Sequence, residues 1–176
     1  MTPLGHAGFG LLVGVGLSNL VPGIDPKTVL INTTIGSVCL DLDLLYTFNK
    51  RGFKVLDEKA GGHRFYFTHT PFFVLILGLV LSFINSKIGI FIATGAMLHL
   101  IIDTLFFPEG INFTFPFKEK RISLLTVRKP LKFWAPKPIA QVKNWKENYL
   151  SSGIFWVFEV IPTVYAIALT FSILYK

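Results

Sequence analysis

The chain has 176 residues, of which 52% are hydrophobic and 15% charged, with a net charge of +7 and a mean hydropathy of +0.58. Soluble domains carry about 25% charged residues, so this composition excludes an ordinary soluble globule and intrinsic disorder, while the single cysteine, Cys39, excludes an internal disulfide framework. We therefore expect lipid as the solvent, and a membrane surface or an anionic substrate rather than nucleic acid as the partner of the positive charge.

The chain contains five apolar stretches, at about residues 7–24, 29–48, 71–86, 88–107 and 153–175. A helix needs about 17–25 residues to cross the hydrocarbon core, so the second, fourth and fifth stretches are long enough and the other two are marginal. Pro22-Gly23 and Asn85-Ser86-Lys87 read as short turns that make two helical hairpins. The sequence thus predicts an all-α, polytopic membrane protein of about five apolar helices.

The first stretch is rich in glycine, at Gly8, Gly10, Gly14 and Gly16. Glycines weaken a soluble helix but favour close helix packing in a bilayer, so a packed helix is expected. A signal peptide is not indicated, because Met1 to His6 includes no Lys or Arg.

Basic residues are concentrated in the two polar segments, 49–69 and 108–152, which hold fourteen of the 17 Lys and Arg residues. If all five stretches span the membrane, both segments lie on one face and Lys27 and Lys87 lie on the other. The positive-inside rule then makes the basic face cytoplasmic. We expect three regions: a membrane core (1–117), a basic interfacial segment (118–152) and a C-terminal membrane helix (153–176).

The basic segment 118–152 includes Trp134 and Trp145 among its lysines and arginines. Such a composition is typical of a strip that lies at headgroup depth and binds anionic lipid. A solvated irregular loop is an equal alternative for its middle part, because Pro130, Pro136 and Pro138 oppose regular structure.

Ionisable residues in apolar sequence gather at one end of the predicted helices. Such residues are costly within a membrane and are usually functional. The group comprises all four histidines of the chain and three aspartates: His6, His63, His69, His99, Asp41, Asp43 and Asp103.

His99 and Asp103 are separated by four residues on one predicted helix, which places an imidazole and a carboxylate on the same face. The pair could bind one metal ion, or could be a hydrogen-bonded pair that ties helices together. Asp41 and Asp43 would point to opposite faces of a regular helix, so they can share a metal centre only where the backbone unwinds.

The segment 61–71 offers His63, His69 and Arg64 just before a membrane helix. A guanidinium suits bidentate contact with a phosphate, although a juxtamembrane loop that anchors at the interface would have a similar composition. Glu159 lies in the last stretch at a similar depth and could be a further ligand or a base, but a partner among the basic residues of segment 118–152 is the favoured interpretation. Cys39 is interpreted as a small apolar helix residue.

These motifs together resemble those of the YdjM family, which is described as LexA-binding, inner-membrane-associated, metal-dependent hydrolases. The resemblance covers about residues 1–118 and rests on an ordered series: His6, the Asp41/Asp43 pair, the block 62–70, the His99/Asp103 helix and residues 110–117. The family usually has a proline before the first aspartate, where this chain has Leu40. More distantly, the pattern is similar to that of zinc-dependent phospholipase C and P1 nuclease, helical proteins that hydrolyse phosphoesters with a zinc cluster.

The function predicted from these observations is a membrane-embedded, metal-dependent hydrolase, with a phosphoester in a lipid or lipid-linked molecule as substrate. All seven His and Asp residues are candidate ligands of a divalent metal. Zn²⁺ suits imidazole with carboxylate best, Mn²⁺ and Fe²⁺ are alternatives, and the number of ligands predicts two ions. Arg64 is the candidate substrate clamp, and Asp41 or Asp43 the candidate base.

Two other classes of protein remain open. A divalent-metal or proton transporter would also place His and Asp within the membrane, but its polar residues should extend to the opposite face. A non-catalytic scaffold or partner-binding protein could use the metal for stability alone.

Overall fold

The computed structural model of the chain describes residues 2–51, 66–106, 110–118, 122, 153 and 155–175. These residues form α-helices α1 (Pro3–Leu20), α2 (Pro26–Cys39), α3 (Leu42–Arg51), α4 (Pro71–Ile84), α5 (Ser86–Phe106) and α6 (Ile161–Leu174). A 3-10 turn, Phe67–His69, precedes α4, and a π-helical segment, Phe155–Val160, precedes α6. The prediction of an all-helical membrane protein is confirmed, with the second apolar stretch divided into α2 and α3.

Both predicted hairpins are present. Helices α1 and α2 are joined by a turn in which Gly23 adopts a φ of 83°, a left-handed conformation that glycine tolerates at no steric cost. Asn85 alone separates α4 from α5, and its Oδ1 accepts hydrogen bonds from the backbone N–H groups of Lys87 and Ile88. Each hairpin therefore returns the chain to the end of the bundle from which it started.

The starts of two helices are fixed by side-chain caps. Asp25 accepts a hydrogen bond from the N–H of Thr28 (3.1 Å) at the start of α2, and Thr70 accepts one from the N–H of Phe73 (3.2 Å) at the start of α4. Both helices continue with a proline, whose fixed φ suits the first helical turn. The cap at Thr70 also fixes the 3-10 turn directly before it.

The helices pack in a row in which α2 occupies the middle: α6 contacts α1, α1 contacts α2, α2 contacts α5, and α5 contacts α4. Small residues allow the closest of these approaches. A methyl group added at Gly36 would clash with the carbonyl oxygen of Ile92, and one added at Gly95 would clash with that of Thr33. The backbones of α2 and α5 are therefore nearly in contact, as is common where membrane helices associate.

Three helices have the length and hydropathy needed to cross a membrane: Pro26–Tyr46, Ser86–Leu105 and Phe155–Leu174. Helix α4 is apolar but has only 14 residues, and α1 has 18. Large apolar side chains point outward along the bundle, for example Leu79 (60% exposed) and Phe83 (84% exposed). This surface suits lipid rather than water.

Because successive apolar stretches of the chain run in opposite directions, the start of one lies at the same level as the end of the next. The starts of α1, α4 and the π-helical segment lie at the end where α2 and α5 finish, whereas the C-terminal part of α6 lies beside the start of α2. A groove of about 340 Å³ at that opposite end is lined by Lys27, Leu30, Thr170 and Leu174, among others. The described end of α6 thus lies beside the start of α2, while the predicted side of the membrane stays a prediction.

The proposed division into three regions stays a prediction. Nearly all of the basic segment 118–152 lies outside the described residues. Its first residue, Lys118, ends a turn that follows Ile111, whose backbone pairs with Ile122 in an isolated antiparallel bridge.

The close approach of α2 and α5 yields a test. We expect Gly36→Ala to lower the free energy of unfolding in detergent by about 1–3 kcal/mol, and with it the melting temperature. The reason is that the added methyl meets a backbone oxygen that cannot rotate away. Gly16→Ala is the matched control, since a methyl group there has open space around it. Equal melting temperatures for the two variants would contradict the described packing.

Candidate metal centre

Five titratable side chains from four parts of the chain meet at the end of the bundle defined above. Helix α1 supplies one from its first turns, the α2–α3 junction one, the 3-10 turn one, and the last turns of α5 two. All five are buried, four of them completely: His6, His69, His99 and Asp103 at 0% exposure and Asp41 at 7%. The structure thus brings five of the seven predicted residues together at one end of the bundle.

His99 has the most fixed orientation of the five. Its Nδ1 lies 2.8 Å from the backbone carbonyl oxygen of Ser37, which can only accept, so Nδ1 carries a proton and donates it to that oxygen. Its Nε2 then faces the cluster, 3.5 Å from Oδ2 of Asp103 and 3.7 Å from Oδ1 of Asp41. The contact with Asp103 is the i, i+4 pair predicted from the sequence, and the Ser37 contact leaves Nε2 as the nitrogen available to a metal ion.

His6 lies flat against His99. The two ring centroids are 3.7 Å apart at an interplanar angle of 16°, and Nε2 of His6 is 3.3 Å from Oδ1 of Asp103. Two protonated imidazoles stacked this closely within an apolar bundle would repel each other strongly. The arrangement therefore favours a neutral form, the form that coordinates metals, for at least one of the two rings.

His69 is held from its other side. Its Nδ1 is 2.9 Å from Oδ2 of Asp43, and the hydroxyl of Thr68 donates to the same carboxylate oxygen at 2.5 Å. The Nε2 atom of His69 lies 4.0 Å from Oδ1 of Asp41. A carboxylate on the outer nitrogen of a histidine is the usual way in which a protein orients a metal-binding ring.

The two aspartates of the α2–α3 junction are separated by a local change of helical pitch. The N–H of Asp41 donates to the carbonyl oxygen of Val38 (3.0 Å), that of Asp43 to Leu40 (3.4 Å) and that of Leu44 to Asp41 (3.0 Å). These i to i−3 bonds tighten the turn relative to an α-helix. Asp41 thereby lies among the three histidines, while Asp43 contacts the outer nitrogen of His69.

This tight turn forms without the proline that the family usually has there. Leu40 is only 2% exposed and packs in the core with Val74, Ala96, Leu100 and Ile111. Burial of a leucine in such a core is worth about 1.5–3 kcal/mol, so it can hold the junction in place. Leu40 in place of proline therefore fixes the turn by packing, and the two aspartates keep their positions beside the histidines.

The donor atoms fit a divalent cation. They form two overlapping sets, and within each set the donor atoms all lie within 4.8 Å of one another. One set is His6, Asp41 and His99, and the other is His69, His99 and Asp103. Among the described residues, Nδ1 of His6 makes no hydrogen bond, and the Nε2 atoms of His6 and His99 lie beside carboxylate oxygens of Asp103, at 3.3 and 3.5 Å, without hydrogen-bond geometry. Such buried groups cost about 1–3 kcal/mol each when unsatisfied, and a cation between them and two buried carboxylates would compensate all of them together.

The remaining predicted site residues divide into two groups. Asp43 belongs to neither donor set and contacts His69 instead. His63 and Arg64 lie outside the described residues, so their predicted roles as ligand and substrate clamp stay predictions. The thiol of Cys39 donates to the carbonyl oxygen of Gly36 at 3.2 Å, as expected of an ordinary helix residue.

Glu159 also reaches this end of the bundle. It is fully buried, and its carboxylate accepts a hydrogen bond from the backbone N–H of Thr2 at 2.8 Å and another from the Thr2 hydroxyl. The favoured interpretation paired it with the basic segment, which lies almost wholly outside the described residues. The contact with Thr2 was not predicted.

Sequence reasoning also missed the Ser37 carbonyl and the role of Thr68. A backbone oxygen carries no signature in the side-chain pattern, so the contact with His99 could not be predicted from composition or spacing. The hydroxyl of Thr68 donates to Asp43, the carboxylate that contacts His69. The only signal for this in the sequence is that Thr68 is adjacent to His69.

No curated protein and no solved structure matches the chain significantly. A sequence profile described as YdjM inner membrane protein, by contrast, matches residues 1–174, almost the entire chain. The match extends the resemblance noted above through the basic segment and the last helix, and it agrees with three helices that can span a membrane. The chain is therefore a member of the YdjM inner membrane protein family.

Proposed function

We propose that this protein is a membrane-embedded, metal-dependent hydrolase whose metal ligands are His6, Asp41, His69, His99 and Asp103. The observation that carries the proposal is the burial of three imidazoles and two carboxylates in one cluster of an otherwise apolar bundle. Ionisable groups within a membrane protein are expensive and are usually retained for function. Zn²⁺ is the favoured ion for this mixture of nitrogen and oxygen donors, with Mn²⁺ and Fe²⁺ as alternatives.

The described residues favour one ion over two. Both donor sets include His99, and its Nδ1 is occupied by the Ser37 carbonyl. One Nε2 atom can serve one ion at a time, so the two sets describe alternative parts of a single site. The second ion predicted from the sequence would need a further ligand, for which His63 is the candidate.

The chemistry follows from the donor set. A divalent cation bound there supplies Lewis acidity, which activates water and neutralises the charge of a phosphoryl group. Asp43 holds the ring of His69 through Nδ1, with Thr68 bonded to the same oxygen, so these two residues keep a ligand in register. Asp41 is the less enclosed of the two carboxylates in the donor sets, and it would offer one oxygen to the metal, so its second oxygen is the candidate base.

A lipid or lipid-linked phosphoester suits the position of the cluster. The site lies at the end of the membrane bundle, close to headgroup depth, and the helices beside it expose apolar side chains such as Leu45 (67%) and Phe67 (57%). We assign Arg64 to the substrate phosphate, and the basic segment 118–152 to anionic lipid headgroups, on sequence grounds.

A transporter is less well supported by the same residues. A path would need polar groups that lead from the cluster to the opposite end. In the described part of α2, the side chains of Asn32, Thr33 and Thr34 instead bond to carbonyl oxygens of their own helix. They satisfy the backbone of α2 and do not continue the cluster.

The metal content of variants tests the ligand assignment. We expect the detergent-purified protein to bind about one equivalent of transition metal. His99→Ala should abolish binding, because this residue belongs to both donor sets, whereas Asp43→Asn should weaken affinity by about 10–100-fold, as expected for an orienting partner. Elemental analysis and chelator competition measure both effects. Unchanged metal binding in His99→Ala would contradict the site.

Hydrolysis is tested in proteoliposomes that contain phosphatidic acid, phosphatidylglycerol or a polyprenyl diphosphate. The metal-loaded protein should release phosphate, or cleave the diester, from at least one of these lipids. His99→Ala should be inactive, and Arg64→Ala should keep its metal but lose about 10-fold or more in rate, in keeping with the loss of one charge-assisted contact.

A non-catalytic scaffold predicts a different result. Its coordination shell would be closed, so inorganic phosphate would not alter the absorption spectrum of the Co²⁺-substituted protein. An open site should show a shift that Arg64→Ala weakens. Absence of both the spectral shift and any metal-dependent hydrolysis would exclude the enzyme proposal in favour of the scaffold.

The site is assigned to the cytoplasmic side by the positive-inside rule. In a Cys39→Ala background, Lys118→Cys should react with a membrane-impermeant maleimide only from the cytoplasmic side, and Lys87→Cys only from the opposite side. Both lysines are exposed. Labelling of the two positions from the same side would contradict the proposed topology.

A further inference from the structure

Glu159 is a buried carboxylate that the proposed mechanism does not use. It lies at 0% exposure within the π-helical segment Phe155–Val160, and it contacts a residue 157 positions away in the sequence, Thr2. Wide helical turns of this kind are rare and occur frequently at functional sites. A buried charge at a rare backbone feature requires a physical reason.

The contact joins Glu159 to the start of α1. The backbone N–H of Thr2 donates to Oε1 at 2.8 Å and its hydroxyl donates to Oε2. Thr2 is the N-cap residue of α1, and its own side chain makes no capping bond to the helix. A carboxylate at this position interacts favourably with the helix dipole and satisfies an N–H group that would otherwise be left at the helix end.

The first turn of α1 connects this contact to the metal centre. The carbonyl oxygen of Thr2 accepts a hydrogen bond from the N–H of His6 (3.2 Å), so Thr2 and His6 are the two ends of one helical turn. His6 is the only member of the described donor sets on α1. Because terminal turns fray, the position of this ligand depends on how firmly the turn is held.

A second contact holds the same region one turn further along. Thr163 lies four residues after Glu159 and packs where a methyl group on Gly8 would otherwise stand. Its hydroxyl lies 3.4 Å from the carbonyl oxygen of Leu4. Two contacts thus fix the start of α1 against the last membrane segment. Thr163 makes one through its hydroxyl, and Glu159 makes the other through its carboxylate.

We infer that Glu159 is a positioning residue for the metal centre: by binding Thr2 it holds the first turn of α1 so that His6 stays stacked on His99 and within reach of the metal ion. The inference rests on the proposed metal site and extends it to the last membrane helix. It also gives that helix a function, because α6 and the π-helical segment contribute no member of the described donor sets.

The test is a comparison of metal affinities in two backgrounds. Glu159→Gln should weaken Co²⁺ or Zn²⁺ affinity about 10-fold in the wild-type chain, within the range for an outer partner of a ligand, and should have no further effect in His6→Ala. Thr2→Ala should act in the same direction as Glu159→Gln and not add to it, whereas Thr2→Ser should be close to wild type. Asp25→Asn is the matched control, because it removes a capping carboxylate from α2 at the far end of the bundle.

A second measurement tests the inference without using metal binding as its readout. In the metal-free protein, Glu159→Gln should speed amide hydrogen exchange in the first turns of α1 and leave exchange in α5 unchanged. Equal losses of affinity in the wild-type and His6→Ala backgrounds would overturn the inference, since a direct ligand or a general structural role gives that result. Unchanged exchange in α1 would overturn it as well.

The failure of the inference can be told apart from failure of the proposed function. If the wild-type protein binds metal and Glu159→Gln binds it equally well, the positioning role is wrong and the metal site stands. If the wild-type protein binds no transition metal, both are wrong.

Discussion

The burial of two carboxylates among three imidazoles is the constraint on which the rest of this structure depends. Asp103 is completely enclosed, and Asp41 nearly so, at one end of a bundle whose outer surface is apolar. Carboxylates that leave water need compensating charge as well as hydrogen bonds. The divalent cation that we propose would supply that charge directly, and would explain why five titratable side chains converge where a membrane protein would otherwise place leucine.

The packing of the helices serves this cluster. Glycines at positions 36 and 95 let α2 and α5 approach until their backbones nearly touch, and across this interface Nδ1 of His99 reaches the carbonyl oxygen of Ser37. The contact fixes the tautomer of His99. In the same way, the tight turn after α2 sends Asp41 and Asp43 to different places, one to the donor sets and one to the outer nitrogen of His69. The backbone geometry of this turn thus makes Asp41 a candidate metal ligand and Asp43 a residue that orients His69.

The sequence predicted most of what depends on hydropathy and spacing. The hairpins, the common level of the ligands and the His99–Asp103 pair follow from helix length and the i, i+4 relation. It could not predict what depends on local pitch or on contacts between distant segments: the place of Asp43 is set by three tight backbone hydrogen bonds, and Glu159 meets Thr2 across almost the whole chain. Side-chain periodicity assumes a regular helix, so it fails where the helix tightens after α2 and where it widens before α6.

X-ray absorption spectroscopy of the Zn²⁺-loaded protein at the metal edge tests the central claim most directly. A site built from His6, His69, His99 and one or both carboxylates predicts a first shell of nitrogen and oxygen only, at about 2.0–2.2 Å, with the outer-shell scattering of about three imidazole rings. His99→Ala should remove this pattern. A shell that contains sulfur, or oxygen alone without imidazole scattering, would contradict the account, because the metal would then be bound elsewhere than in the buried cluster.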